Sequence, residues 1–391
     1  MATRVLFLSA SVGVGHTAAA AAVARALREF DSSIETRTVD SYRYAAALFS
    51  KVVADGYIGM VKTVPQIYRY IYDRAERATQ VGAFRTWVSQ FTAANLRPLI
   101  EEMRPSAVVC THAFPCGVMA AYKRSFDPTL PVVGVVTDFV VHPFWIYRNV
   151  DAYAVATPQM RQVLLARGIH GDRIDDCGIP VDERFGIAPS DRAALRRSLD
   201  LPVDRSVVLM MGGGLGIGPL DTMMRALGSV EAPLAAAIVV GRNAGLERRV
   251  RATAERTEYP VRVFGFVDNV FDFMHASDVL VSKPGGLTSS EALAANLPMV
   301  LVRPLPGQEE RNTRYLVTRK AAIRVKGERQ LATVVAGLLR EPRGETYLSE
   351  GIRALRRPDA ARQVARRILA LAGRRASPSQ VFGRPAAKET P

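Results

Sequence analysis

The stretch Ser282 to Asn312, SKPGGLTSSEALAANLPMVLVRPLPGQEERN, decides the fold. It follows Asp278-Val279-Leu280-Val281, a short β-branched run that reads as a buried strand, and the pair Gly285-Gly286 then opens into a helical segment, Ser289 to Ala295. Strand, tight turn and helix in this order make a cradle for an anion. Glycines let the backbone approach a ligand, and the free N–H groups at the helix start, with the helix dipole, favour negative charge. Gly285, Gly286, Leu287 and Thr288 are the residues placed to touch a phosphate there. Glu291 has two readings. A carboxylate beside a phosphate suits a ribose hydroxyl, whereas Thr288-Ser289-Ser290-Glu291 is also a capping box. The next strand, Met299 to Val302, runs into a loop carrying Gln308, Glu309 and Asn312. Both loops leave the carboxyl ends of strands, the edge where open α/β sheets bind ligands. Phosphate, ribose and several hydroxyls together point to a sugar nucleotide.

The 391 residues, 48% of them hydrophobic, suffice for two ordinary cores. Cys110, Cys116 and Cys177 form no disulfide framework and lack the paired spacing of a zinc site, so they read as packing residues in a reducing compartment. No apolar run approaches a signal peptide or a membrane span. With 52 bases against 37 acids the chain carries +15, which calls for an anionic partner. No nucleic-acid signature accompanies that charge, so an anionic membrane surface is the expected partner and nucleic acid is not. Between Tyr42 and Arg97, aromatic residues mix with bases such as Arg69, Arg74 and Arg77 against few acids, a composition suited to a lipid interface or to an aromatic-rich helical insertion.

At the other end of the chain, the strand Arg4 to Leu8 leads into SASVGVGHTAAAAAVARALREF, a glycine turn opening into an alanine-rich helix. Gly13, Gly15 and Ala18 satisfy G-x-G-x-x-A, with Asp40 closing the next alternating run, so a dinucleotide-dependent dehydrogenase is a rival reading. His16 begins the helix, where the positive dipole end keeps imidazole neutral, either as a general base or as a structural hydrogen-bonder. The strands Ala107 to Cys110, Val132 to Val136 and Ala152 to Val155 continue a doubly wound sheet, with Thr111-His112, Thr137-Asp138 and Thr157-Pro158 at their ends. A second series starts at Val207 to Met211, followed by Gly213 and Gly214, a turn that permits phosphate contact, and Arg242 lies just past a later strand, placed to neutralise a diphosphate.

The run GFVDNVFDFMHASDVLVSKPGGLTSSEALAANLPMVLVRPLPGQEERN resembles the donor-binding half of the glycosyltransferases that make monogalactosyl- and glucosyl-diacylglycerol, relatives of the enzyme that makes lipid II. The loop Ser11 to His16 is similar to their S-x-G-x-G-H, and VTDFVVHPFWIYRNVDAYAVAT resembles their T-D…H…W signature. The resemblance implies an α/β fold of GT-B architecture, with two Rossmann-like domains facing a cleft. It implies an acceptor and membrane-side domain over residues 1–188, a nucleotide-sugar domain over 189–355, a helix over 356–373 packing back on the first domain, and a disordered tail, 374–391. The activity implied is inverting transfer of a hexose from a UDP-sugar to a diacylglycerol-type hydroxyl, or to another lipid-linked or small acceptor. The family's acceptor-side base maps onto His16; Asp138 either orients it or is itself the base, and Gly15, His142 and Trp145 fall on the acceptor side. Backbone groups at Phe266 and Val267 would grip uracil. No cofactor and no metal is expected, in keeping with the absence of a D-x-D motif; helix N-termini and loop amides would carry the diphosphate charge. The expected location is cytoplasmic, peripheral on the inner face of the cell membrane. A sensor that binds the sugar nucleotide without transferring it stays open as an alternative.

Overall fold

The computed structural model describes residues 3–10, 14–45, 79–213, 219–341 and 346–376. Ser11, Val12, Gly13, Gly214, the basic and aromatic residues within 46–78 (Arg69, Arg74 and Arg77 among them) and the tail from 377 onward lie outside these.

Two six-stranded parallel sheets organise the chain. The first is built from β1 (Arg4–Ser9), β2 (Glu35–Asp40), β3 (Ala107–Cys110), β4 (Val132–Val135), β5 (Ala152–Ala154) and β6 (Ile174–Asp175), in the spatial order β2-β1-β3-β4-β5-β6. Its central strands are buried on both faces, which is why they read as continuous runs such as Val108-Val109 and Val132-Val133 and not as alternation. β2 is an edge strand, mostly open to solvent, and alternates. Helices α1 (Val14–Phe30), α2 (Thr79–Met103), α3 (Ala113–Ser125) and α4 (Pro158–Ala166) connect these strands.

After the short α5 (Arg192–Ser198), the second sheet runs β7 (Ser206–Met211), α6 (Leu220–Leu227), β8 (Leu234–Val239), α7 (Ala244–Ala254), β9 (Val261–Phe264), α8 (Val270–Ala276) and β10 (Val279–Ser282). It continues through α9 (Gly286–Ala294), β11 (Met299–Val302), α10 (Gln308–Thr318), β12 (Ile323–Val325), α11 (Glu328–Leu339) and α12 (Ser349–Leu355). The spatial order is β12-β11-β10-β7-β8-β9. In each sheet the strand order reverses once, between β1 and β3 and between β10 and β7. The loops at a reversal part to opposite faces and leave a crevice at the carboxyl ends of the strands, which fixes the site in advance of any side chain.

The last helix, α13 (Ala360–Ala376), returns to the first sheet. Val364, Ala365, Ile368 and Leu371 share a core with Val5, Phe7, Val23 and Leu27, and the alanines of α1 let the two helices approach closely. Arg375 fastens its end, donating to the Pro105 carbonyl at 3.1 Å and to Asp127 at 2.9 Å. The two halves also share apolar contacts: Ala19 and Phe139 of the first pack into the core of the second, as do Ile179, Val181 and Phe185, and Phe139 stacks on Tyr315 with ring centroids 5.5 Å apart. The three cysteines are free and buried.

Candidate active site

The first crevice gathers the end of β1, the start of α1 and the loops after β3 and β4. His16 is the third residue of α1. Its Nδ1 lies 2.9 Å from the Thr111 carbonyl and 2.9 Å from the Thr137 hydroxyl. A carbonyl can only accept, so Nδ1 carries the proton and Nε2 is left as the basic atom. Burial holds the ring well below its ordinary range, at about 4, against the opposing pull of the Thr111 bond; the helix start acts in the same direction as burial. The side chain keeps some exposure to the cleft, so it is surrounded by protein without being sealed off.

Asp138, directly after Thr137, does not orient His16. Its carboxylate accepts from Gln308 Nε2 at 3.0 Å and from Asn312 Nδ2 at 3.0 Å, both on α10 of the second half. Burial raises its pKa and the Asn312 bond opposes the rise. Asn312 is 1% exposed and fully committed: its Nδ2 also donates to the Pro284 carbonyl at 3.1 Å, and its Oδ1 accepts the Phe139 N–H at 3.0 Å. Asp138, Gln308 and Asn312 therefore form a polar latch between the halves. Thr137 and the Thr111 carbonyl hold the histidine instead. His142 is buried as the cap of a short turn, its Nδ1 accepting from the Phe144 N–H at 3.2 Å, and Trp145, 3% exposed, is a core residue of the first half whose carbonyl accepts from Tyr153 at 2.8 Å.

The second crevice faces the first. Ser282 Oγ donates to the Met211 carbonyl at 3.1 Å and pins β10 to β7 where the order reverses. Helix α9 begins at Gly286, with Gly285 as its cap residue and no side-chain cap. It thus starts three residues earlier than the sequence suggests, because the glycine pair itself turns into the helix. Thr288 and Glu291 are both inside it, so the capping-box reading fails: Glu291 lies a turn and a half from the helix start, out of reach of the Thr288 N–H. No hydrogen bond to the Glu291 side chain occurs among the described residues, and burial, with Asp182 adding repulsion, pushes its carboxyl up to about 7. The first N–H groups of α9 have no partner in the helix.

The two crevices meet closely here. A Cβ on Gly286 would collide with the Thr137 carbonyl oxygen, and one on Gly15 would lie 3.5 Å from Leu287 Cβ. At 286 only glycine lets the helix start come so near the Thr137 backbone that holds the histidine, whereas the Gly15 contact is ordinary packing. Gly213, at φ +69, turns the chain after β7 into open space. Arg242 stacks over the Phe266 ring at 4.3 Å, and Phe266 is 46% exposed beside Val267, so these three form one outer rim. Glu309 is already engaged, accepting from the Leu305 N–H at 2.7 Å and from Lys283 at 3.3 Å. The first of these bonds holds the loop after β11 against the start of α10. Thr111 and Thr137 stood out in the sequence only as polar residues at strand ends, and Lys283 was not singled out. That the Thr111 backbone carbonyl holds His16 has no sequence signal at all.

Residues 16–181 match the family model for monogalactosyldiacylglycerol (MGDG) synthase, and residues 208–364 match the glycosyltransferase family 28 C-terminal domain. The chain is a glycosyltransferase that carries these two family domains in tandem. It is 27% identical over 368 residues to a processive diacylglycerol beta-glucosyltransferase of Bacillus cytotoxicus, covering 94% of this chain and 93% of that protein. Among solved structures it is similar to the glycotransferase of kitacinnamycin, with a TM-score of 0.63 at 14% identity over 95% of this chain and 100% of that one. It is also similar to MurG of Acinetobacter baumannii, with a TM-score of 0.60 at 16% identity over 94% and 99%. The fold of this glycosyltransferase is accordingly GT-B. The match of Gly13, Gly15 and Ala18 to a dinucleotide fingerprint does not make this enzyme a dehydrogenase: the start of α1 packs against α9, with Ala18 and Ala19 against the second core.

Proposed function

We propose that the protein transfers a hexose from a UDP-sugar to the hydroxyl of a diacylglycerol-type lipid, with inversion at the anomeric carbon. The observation that carries the reading is the approach of the α9 N-terminus to His16 through Gly286 and Gly15. A diphosphate held on the N–H groups of Gly286, Leu287 and Thr288 puts the sugar between that helix and the Nε2 atom. The acceptor hydroxyl gives its proton to His16 Nε2 and attacks the anomeric carbon; the bond to the diphosphate breaks and the leaving charge is taken up by helix amides. Glu291 accepts from ribose hydroxyls, which would give a buried carboxyl the partners it lacks.

A lipid acceptor requires contact with a bilayer. Among the described residues no helix is long and apolar enough to cross a membrane. Trp87 and Phe91 on α2 are stacked at 5.8 Å and 54% and 42% exposed, and further along the same helix Arg97 lies over the exposed Phe126 ring. Exposed aromatics with arginine suit the interface of an anionic leaflet, alongside the +15 charge. The test is a panel of radiolabelled UDP-sugars with anionic liposomes carrying diacylglycerol. Label should enter the lipid fraction, binding should fall with salt, and Arg69, Arg74 and Arg77 changed together to Glu should release the protein from liposomes without altering UDP affinity. Transfer to a soluble acceptor with indifference to liposomes would overturn the lipid reading.

A further inference from the structure

The acceptor wall holds a second histidine that the chemistry above leaves idle. His112 follows β3 and caps α3, its Nδ1 accepting from the Phe114 N–H at 3.2 Å. A backbone N–H can only donate, so Nδ1 is unprotonated and the neutral ring carries its proton on Nε2. His16 has the opposite tautomer. The two rings meet edge to face, with centroids 4.7 Å apart and an interplanar angle of 79°. Burial, with His16 adding to it, holds His112 well below the ordinary histidine range, so it stays neutral and acts as a donor and not as a cation. Tyr42 lies 6.1 Å from the His112 ring and stacks on Phe114 at 4.9 Å, walling one side with aromatic carbon. Among the described residues nothing accepts from His112 Nε2, and the half-buried ring is not sealed from solvent. One ring thus offers an acceptor and its neighbour a donor. That pair is complementary to a molecule carrying a hydroxyl and a second oxygen next to it.

We propose that His112 binds the acceptor substrate, its Nε2–H donating to an oxygen adjacent to the hydroxyl that gives its proton to His16, so that the site selects glycerol esters and vicinal diols over simple alcohols. The inference rests on the proposed transfer to a lipid hydroxyl at this wall. No bond is made or broken at His112. Asparagine remains a good N-cap, so His112→Asn keeps the bond to Phe114 N–H and removes only the distal donor, whereas His112→Gln brings an amide N–H near the lost position.

The probes are dioctanoylglycerol and decanol, the second lacking the neighbouring oxygen. His112→Asn should lower kcat/KM roughly tenfold for dioctanoylglycerol, the scale of one neutral hydrogen bond, and leave decanol within about a factor of two. His112→Gln should recover part of the loss. An equal loss on both alcohols, or none on either, with the melting temperature unchanged, overturns the proposal. His16→Ala is measured beside them: near-normal turnover there, with His112→Asn still discriminating, removes the base assignment and leaves His112 standing. Nitrogen-15 NMR of the histidines in the full-length protein decides the matter without turnover. His112 should show a protonated Nε2 whose resonance moves on adding dioctanoylglycerol; a protonated Nδ1, or no movement, counts against it.

Discussion

Two carboxyls stand on opposite walls of the cleft and share one physical condition. Asp138 and Glu291 both have their pKa raised, first of all by burial. Their surroundings differ. Asp138 is held by two amide donors from the facing half, Gln308 and Asn312, and its hydrogen bonds are internal to the protein. Glu291 has no such donor among the described residues. The difference teaches that a perturbed pKa in a cleft does not by itself mark a ligand-binding group. Partner inventory separates the residue that joins the domains from the one that waits for hydroxyls, and it moves Asp138 away from the role of base.

The largest effect should come from His16, the proposed base. His16→Ala should reduce turnover by about 10²–10⁴-fold while donor affinity is kept, and Asp138→Asn should cost less in kcat. Steady-state kinetics on both variants decides it; the reverse ranking would restore Asp138 as base. Next, Glu291→Ala should weaken UDP-sugar binding by on the order of 1.5–3 kcal/mol, the worth of a charge-assisted hydrogen bond, with Glu291→Gln losing less. Calorimetry measures both.

Breaking the latch tests the other carboxyl. Asn312→Ala leaves Asp138, the Phe139 N–H and the Pro284 carbonyl each short of a partner, and an unsatisfied buried group costs about 1–3 kcal/mol. A clear fall in melting temperature is expected; an unchanged one would mean the latch is not made in solution.

The pH dependence separates the two walls most finely. His16, neutral down to about 4, should place the acid limb of kcat near that value and not near 6.5. Glu291 must be charged to accept ribose hydroxyls well, so donor affinity should rise as pH passes upward through about 7. Its effect on stability has the opposite sign. The folded protein holds this proton up to about 7, the unfolded chain only to the ordinary 4.5, so the carboxyl is neutral and costs little below 4.5 and is charged and destabilising above 7. Glu291→Gln should therefore raise the melting temperature of the donor-free protein at pH 8 more than at pH 5.

The sequence was legible where the chemistry is local. β3 and β11 were readable to the residue, because four-residue β-branched or apolar runs between turn signals have few alternatives. β8 was legible only at its end: Ala235-Ala236-Ala237 carries no strand signature, and these residues are a strand because β7 and β9 pair with them on either side. Trp145 shows the complementary error. An aromatic residue in a family signature looks like acceptor machinery, yet here it fills the first core, and nothing short of the packing of Cys116 and Tyr153 around it reveals that.

By itself, the sequence determined the alternation of strand and helix, the glycine turns at both crevices, and the family, since each is written in contiguous residues. Tertiary structure alone decided which polar groups are partners. Asp138 meets Gln308 and Asn312 across about 170 residues of chain, the Thr111 carbonyl selects the tautomer of His16 from nearly a hundred residues away, and the start of α9 comes this close to the first crevice only because Gly286 lies against the Thr137 backbone of the other domain. Hydrogen bonds act over about 3 Å in space and are blind to separation along the chain, so their pairing is settled only when the two sheets are docked.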